Sequence, residues 1–223
     1  MRHTIGTMLR AWCSPVAGLM LAVATAPAAA GEVHGRVVDT AGAPVRDAVV
    51  FVHDLPPGVS VAAPPPAIMD QVGQTFVPHV LPVAVGTAVS FPNRDQIQHH
   101  VYSFSRTKTF ELPLSKGHAA PPVVFDTPGV VKIGCNIHDW MSGVILVLPT
   151  PYFVQTVADG SFTLRDLPAG TVRVAAWHEA STREAAATAQ AVDVGETPAT
   201  VTFTLPLKAL PTPKPTPVDW NYE

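Results

Sequence analysis

The chain has 223 residues, of which 47% are hydrophobic and 14% are charged. This length is sufficient for one or two compact domains with hydrophobic cores. Because 14 basic residues face 17 acidic ones, the formal net charge is -3, which argues against a broad basic surface for nucleic acid. The 24 prolines and 15 glycines, spread among short valine-rich runs, disfavour long helices and predict an all-β protein of strands joined by turns.

The first thirty residues have the pattern of an export signal. Arg2 and Arg10 form a positive n-region, and an apolar stretch over residues 16–26 leads to three alanines suited to cleavage. A membrane anchor is the alternative, but the apolar stretch is shorter than the roughly 20 residues that span a bilayer. We therefore expect residues 1–30 to be removed, leaving a periplasmic chain from Gly31 with no stable membrane span. Loss of the two arginines changes the net charge from -3 to -5.

The mature chain is expected to contain a single cysteine, Cys135, because Cys13 lies within the export signal. In an oxidising compartment a lone thiol has no internal partner for a disulfide bond. Cys135 is therefore either an inert core residue or a thiolate with a task such as metal binding.

The residues that follow Cys135 favour metal binding. Two β-branched runs, residues 130–133 and 144–148, flank a loop in a strand–loop–strand pattern. Cys135, His138 and Met141 have the spacing C-x-x-H-x-x-M, which brings a thiolate, an imidazole and a thioether within seven residues. One Cys and two His in a trigonal arrangement with a weak axial Met form the blue-copper ligand set. The pattern therefore predicts one copper ion per chain, with a second histidine from elsewhere.

The second histidine is one of an adjacent pair, His99 and His100, between which the local register leaves the choice open. Here the sequence resembles the cupredoxin family, whose amicyanin-like members have a similarly short Cys-His-Met loop. In those sequences an Asn-Arg pair stands six and five residues before the first copper histidine. Asn93 and Arg94 stand at these distances from His99. The resemblance therefore implies four copper ligands: His99, Cys135, His138 and Met141.

The resemblance to cupredoxins extends over residues 67–148. An F-x-P element begins at Phe76 and an x-x-G-x-x-V-x-F element ends at Phe91, in the order that cupredoxins show before the first ligand. The arrangement also resembles bacterial proteins of the methylamine-utilisation or plastocyanin-like type. It implies a Greek-key β-sandwich over residues 55–149 that carries single electrons and is not an enzyme.

The flanking segments resemble the two halves of a carboxypeptidase regulatory-like (prealbumin-like) β-sandwich. Residues 33–52 suggest two strands around an Asp-Thr-Ala-Gly turn, and residues 159–170 contain D-G-x-F-x-L-x-x-L-P-A-G. We interpret the cupredoxin region as an insertion between residues 31–54 and residues 150–206, at a site where both chain ends lie close together. In the alternative topology, residues 48–52 form the first cupredoxin strand and the C-terminal segment is an appended module.

A Pro-rich tail is predicted over residues 207–223, and its segment 210–217 cannot pair in a sheet and is expected to be extended. The copper interpretation implies a periplasmic redox partner protein that docks where His138 reaches the surface beside Trp140. Two other function classes use the same residues. A copper chaperone or storage protein would open the site for metal exchange, and a structural β-sandwich binding module would use the metal for stability.

Overall fold

A computed structural model describes residues 31–114 and 120–209. The predicted export signal and most of the Pro-rich tail therefore lie outside the described residues. Within them the protein is all-β, as the sequence predicts, with 17 strands and one 3-10 turn at Ala185–Thr188. No helix in the described part of the chain is long and apolar enough to cross a membrane.

The 17 strands are numbered here along the chain. In chain order they are β1 (Gly31–Asp39), β2 (Val49–Asp54), β3 (Ala67–Ile68), β4 (Asp70–Gln71), β5 (Phe76–Val77), β6 (Val80–Ala84), β7 (Thr87–Ser90), β8 (His99–Ser105), β9 (Lys108–Leu114), β10 (Val123–Phe125), β11 (Gly129–Cys135), β12 (Ser142–Leu148), β13 (Phe153–Gln155), β14 (Ser161–Leu167), β15 (Gly170–Trp177), β16 (Gln190–Val194) and β17 (Ala199–Leu205).

Residues 67–148 form a β-sandwich, called here the central sandwich. Its larger sheet has the strand order β6-β12-β11-β8-β9, and its smaller sheet has the order β10-β7-β3. Because side chains alternate between the two faces of a strand, Val131, Ile133 and Cys135 of β11 all point into the core. The last of these inward-pointing side chains is therefore Cys135, the cysteine of the predicted metal site.

The segments on either side of the central sandwich form a second one, called here the flanking sandwich. In one sheet β1 pairs with β14 and β17, and in the other β2 pairs with β13 and β15, which is followed by β16. Thr156 links the two segments inside the protein. Its hydroxyl accepts a hydrogen bond from the Ala48 N–H (2.9 Å) and donates one to the Val45 carbonyl (2.7 Å).

The two sandwiches share an apolar interface in which β12 packs against β2 and β15. The buried residues of this interface are Val49, Phe51, Val144, Leu146, Leu148, Ala175 and Trp177. The neighbouring residues of the same strands point into the sandwich cores, so these three strands are buried on both faces. Burial on both faces explains the continuous apolar runs at residues 49–52, 144–148 and 174–177, where a half-exposed strand would alternate. The flanking sandwich therefore packs against β12, the strand that follows the predicted ligands Cys135, His138 and Met141.

The first flanking segment contains both predicted strands, but β1 and β2 belong to different sheets. The Asp-Thr-Ala-Gly turn forms, with the Gly42 N–H donating to the Asp39 carbonyl at 3.1 Å. Residues 40–48 then carry the chain across to the other sheet. There β2 pairs with β13 and β15, whereas the alternative topology would place it within the central sandwich. The predicted domain boundaries stay a prediction.

Candidate metal centre

Residues 135–141 form the connection between β11 and β12 and are called here the metal loop. The Cys135 N–H donates to the Met141 carbonyl (3.1 Å), and the Met141 N–H donates to the His138 carbonyl (3.0 Å). The Asn136 N–H donates to the carbonyl of His100 on β8 (2.9 Å). Two of these hydrogen bonds lie within the loop and the third attaches it to β8. Together they fix the conformation of the loop backbone.

Strand alternation in β8 separates the two adjacent histidines. His99 is 1% exposed and points into the core of the central sandwich, in step with the buried Val101 and Ser103. His100 points to the outer face, where its Nε2 lies 3.7 Å from Oε2 of Glu111. The structure therefore brings His99, and not His100, to the metal loop.

Three of the four predicted ligands come together with their donor atoms facing one another. The donor atoms of His99, Cys135 and His138 all lie within 4.8 Å of one another, and all three residues are buried. The Cys135 Sγ lies 3.7 Å from Nδ1 of His99 and 3.6 Å from Nδ1 of His138.

These separations fit a shared metal ion. Metal–sulfur and metal–nitrogen bonds of about 2.3 and 2.0 Å hold two donors about 3.5–3.8 Å apart at tetrahedral to trigonal angles. The observed sulfur–nitrogen separations lie in that range. One soft thiolate and two imidazoles are donors that copper accepts in both of its common oxidation states.

Asp95 fixes the orientation of the His99 ring. The His99 Nε2–H donates to Asp95 Oδ2 at 2.9 Å, which leaves the Nδ1 lone pair free on the side of the cysteine sulfur. Asp95 is itself held by the N–H groups of Gly73 (2.7 Å to Oδ1) and Gln74 (2.8 Å to Oδ2). A carboxylate on the outer nitrogen of a histidine selects the tautomer that can bind a metal through the inner nitrogen.

The surroundings of the donors favour the protonation states that metal binding needs. Burial lowers the pKa of His138 below its ordinary value, and His99 lowers it further against an opposing effect of Asp95. Burial alone raises the pKa of Asp95, but hydrogen bonds from Gln74, His99 and Gly73 outweigh it, so that the pKa of Asp95 is lowered. At neutral pH the site therefore holds a neutral His138 and an ionised Asp95.

Met141, the fourth predicted ligand, is buried in the same core cluster as Cys135. Its backbone bonds to both Cys135 and His138 set its place in the loop. The role of its thioether as an axial ligand stays a prediction.

Asp95 and the residues that bind it were not predicted from the sequence. An acidic residue four positions before the predicted ligand His99 is only a weak sequence signal, because loop geometry decides whether the two side chains meet. Asn93, which supports the alignment with cupredoxins, acts within its own loop. Its side chain donates to the Ile97 carbonyl (2.8 Å) and accepts from the Asp95 N–H (2.9 Å), and so shapes the turn that carries Asp95.

Comparison with known proteins gives structural similarities only. No protein-family profile and no curated protein matches the chain. A copper-containing nitrite reductase (NirK) from Thermus scotoductus SA-01 has a TM-score of 0.36 and 29% identity, covering 43% of this chain and 25% of that chain. The chain thus spans a quarter of the length of that reductase chain.

Amicyanin structures are also similar. A methionine-to-glutamine mutant with Cu(I) has a TM-score of 0.34 and 22% identity, covering 37% of this chain and 81% of that chain. A proline-to-glycine mutant in the reduced Cu(I) form at pH 4 has a TM-score of 0.34 and 22% identity, covering 45% of this chain and 98% of that chain.

Proposed function

We propose that the protein is a type 1 (blue) copper protein that carries single electrons in the periplasm, with one copper ion per chain. The observation that supports this most strongly is the buried Cys135 sulfur, 3.6 to 3.7 Å from Nδ1 of two histidines. When bound, copper supplies a one-electron couple between its Cu(II) and Cu(I) states.

The protein residues would give this couple a fixed environment. Cys135 binds as a thiolate, His99 and His138 bind through Nδ1, and Met141 is the weak fourth ligand of the proposal. Because Asp95 and the loop hydrogen bonds hold the donors in place, the protein has little to rearrange between oxidation states. Burial of the three donors also favours a permanently held ion over one that is exchanged, which supports a carrier rather than a copper chaperone or store. The proposal assigns no catalytic step to the site.

Copper titration of the full chain, exported and purified from the periplasm, tests this function. We expect one copper ion per chain and an intense visible band from thiolate-to-copper charge transfer, because a single Cys–copper bond is available. Zinc titration under the same conditions is the control. A colourless copper complex, loss of copper on dialysis, or tighter retention of zinc than of copper would contradict the proposal.

We also propose that a redox partner protein docks at the end of the central sandwich where His138 lies nearest to solvent. The rings of His138 and Trp140 are 5.3 Å apart between centroids, and the neighbouring Ile137 is exposed. An apolar surface beside a ligand suits brief contacts that a carrier must make and release. It also predicts weak dependence on salt, because charge pairs contribute little there.

Trp140→Lys should therefore slow electron self-exchange on the order of tenfold while leaving the visible band nearly unchanged, since it adds like charges to both members of an encounter pair. The rate would be measured by line broadening in mixtures of oxidised and reduced protein. Val157→Lys adds the same charge at an exposed position of the flanking sandwich and should leave the rate unaltered. Equal rates in the two variants at low and high salt would place the docking surface elsewhere.

A further inference from the structure

We propose that the flanking sandwich is a positioning element of the copper site, acting through Glu179 and His79 on the chain that follows Met141. This inference rests on the proposed copper function. It concerns a polar contact between the two sandwiches that lies beside their apolar interface.

His79, which precedes β6, joins the flanking sandwich to the first residues of β12. Its Nε2 lies 2.8 Å from Oε2 of Glu179, and its Nδ1 lies 3.2 Å from the carbonyl oxygen of Ser142. Its own carbonyl accepts a hydrogen bond from the Val144 N–H at 2.8 Å. His79 thus contacts β12 both before and after Gly143.

Gly143 shows how closely these segments approach. A Cβ at this position would lie 3.1 Å from Cβ of Phe76 and 3.2 Å from the carbonyl oxygen of His79. Such separations are tighter than ordinary van der Waals contacts. A shift of the His79 segment is therefore transmitted to the start of β12 with little slack.

Glu179 determines how the His79 ring is held. The two ring nitrogens face two acceptors, the Glu179 carboxylate and the Ser142 carbonyl oxygen, so the ring is held at both ends. The hydrogen bond between His79 and the Glu179 carboxylate involves a charged acceptor, and charge-assisted hydrogen bonds are stronger than neutral ones. Without Glu179 the ring loses the contact at its Nε2 end and is free to turn away from Ser142.

The apolar interface explains why Glu179 meets His79. Trp177 at the end of β15 is buried against β12, and the chain continues from it through His178 to Glu179. Glu179 and His79 line a crevice of about 350 Å³ together with residues of both sandwiches. His178 lines it too, but its Nδ1 accepts the Ala180 N–H at 3.1 Å and its other nitrogen then carries the proton. It therefore does not form a second metal site with His79.

The contact reaches the copper ligands through the backbone. Ser142 directly follows Met141, whose carbonyl and N–H bond to Cys135 and His138. Displacing Ser142 therefore changes the position of the proposed axial ligand. Because a weak axial ligand tunes the reduction potential of a blue-copper site, the potential should respond to Glu179.

The test compares Glu179→Ala with Glu32→Ala in the full chain. Glu32 pairs with His34 (2.7 Å) and also with Arg165, both in the flanking sandwich and away from the metal loop. The exposures match well, with side chains 25% and 53% exposed for Glu179 and His79, and 30% and 44% for Glu32 and His34. Glu179→Gln, which keeps an accepting oxygen, should give an intermediate result.

The first measurement is amide hydrogen exchange in the copper-free protein. We expect the Met141 and Val144 amides to exchange about two- to fivefold faster in Glu179→Ala, as suits loss of an exposed pair, and at the wild-type rate in Glu32→Ala. The second measurement is made on copper-loaded protein. There the reduction potential and the electron spin resonance spectrum should change in Glu179→Ala alone.

Equal exchange at both amides in the two alanine variants would overturn the inference. Faster exchange with an unchanged potential and spectrum would also overturn it, since the contact would then be merely structural. A wild-type protein without a thiolate-to-copper band would overturn the proposed function instead, and that result is obtained before any variant is made.

Discussion

His99→Ala is expected to abolish the visible thiolate-to-copper band, whereas His100→Ala is expected to retain it with at most a modest shift. His99 supplies one of three buried donors that lie within 4.8 Å of one another, so its loss opens the trigonal set. His100 points to the other face of β8, away from the three donors. Its backbone carbonyl, which holds the Asn136 N–H, is kept in the alanine variant.

The measurement is a copper titration followed by absorption, with circular dichroism to show that both variants are folded. Wild-type protein is the reference for band intensity and for the number of copper ions bound. A retained band in His99→Ala with a lost band in His100→Ala would show that the ligand register is shifted by one residue. Retention in both variants would show that neither histidine is a ligand.

The grouping of Cys135, His138 and Met141 in one loop could be predicted from sequence because the information is local. Cys135, His138 and Met141 lie within seven residues between two apolar runs, and the structure places them in one connection between β11 and β12. The choice of His99 over His100 needed a family alignment, because alternation in a strand fixes which residues share a face but not which face is inside. The fold supplies that face through the buried Val101.

The contacts around the predicted ligands could not be inferred from the sequence, because they join residues that are distant in the chain. Asp95 is held by N–H groups 21 and 22 residues earlier in the chain. His79 meets Glu179 across 100 residues. The partners of His79 are identified only once the structure shows the two sandwiches side by side.

The flanking segments were predicted from motifs to belong together, and β1 and β2 do pair with strands beyond residue 150. The packing of one sandwich on the other was not predicted. A sign of it is present in the sequence, since residues 49–52 and 144–148 are continuously apolar. Such runs indicate strands buried on both faces, but they do not say which surface covers the second face.

Asp95→Ala is expected to lower metal affinity about 10- to 100-fold, the usual effect of removing a partner that orients a ligand histidine. The variant frees the His99 ring to rotate and lets its proton move to Nδ1, the nitrogen that faces the Cys135 sulfur. It also removes the acceptor for the N–H groups of Gly73 and Gln74, so the adjoining loop loses its anchor. The metal affinity of Asp95→Asn should lie between those of the wild-type protein and Asp95→Ala, because the amide keeps one accepting oxygen and replaces the other by a donor.

Competition with a chelator of known copper affinity measures the effect, and Asp126→Ala is the matched control. Asp126 pairs with Lys108 at 3.4 Å and is exposed, so its loss removes a carboxylate of the same charge without touching a ligand. The visible band of Asp95→Ala should persist at saturating copper, since all proposed ligands remain, and should be lost at lower chelator concentration than in Asp126→Ala. Equal affinities in the two variants would show that the ring of His99 is oriented by its packing in the core and not by Asp95.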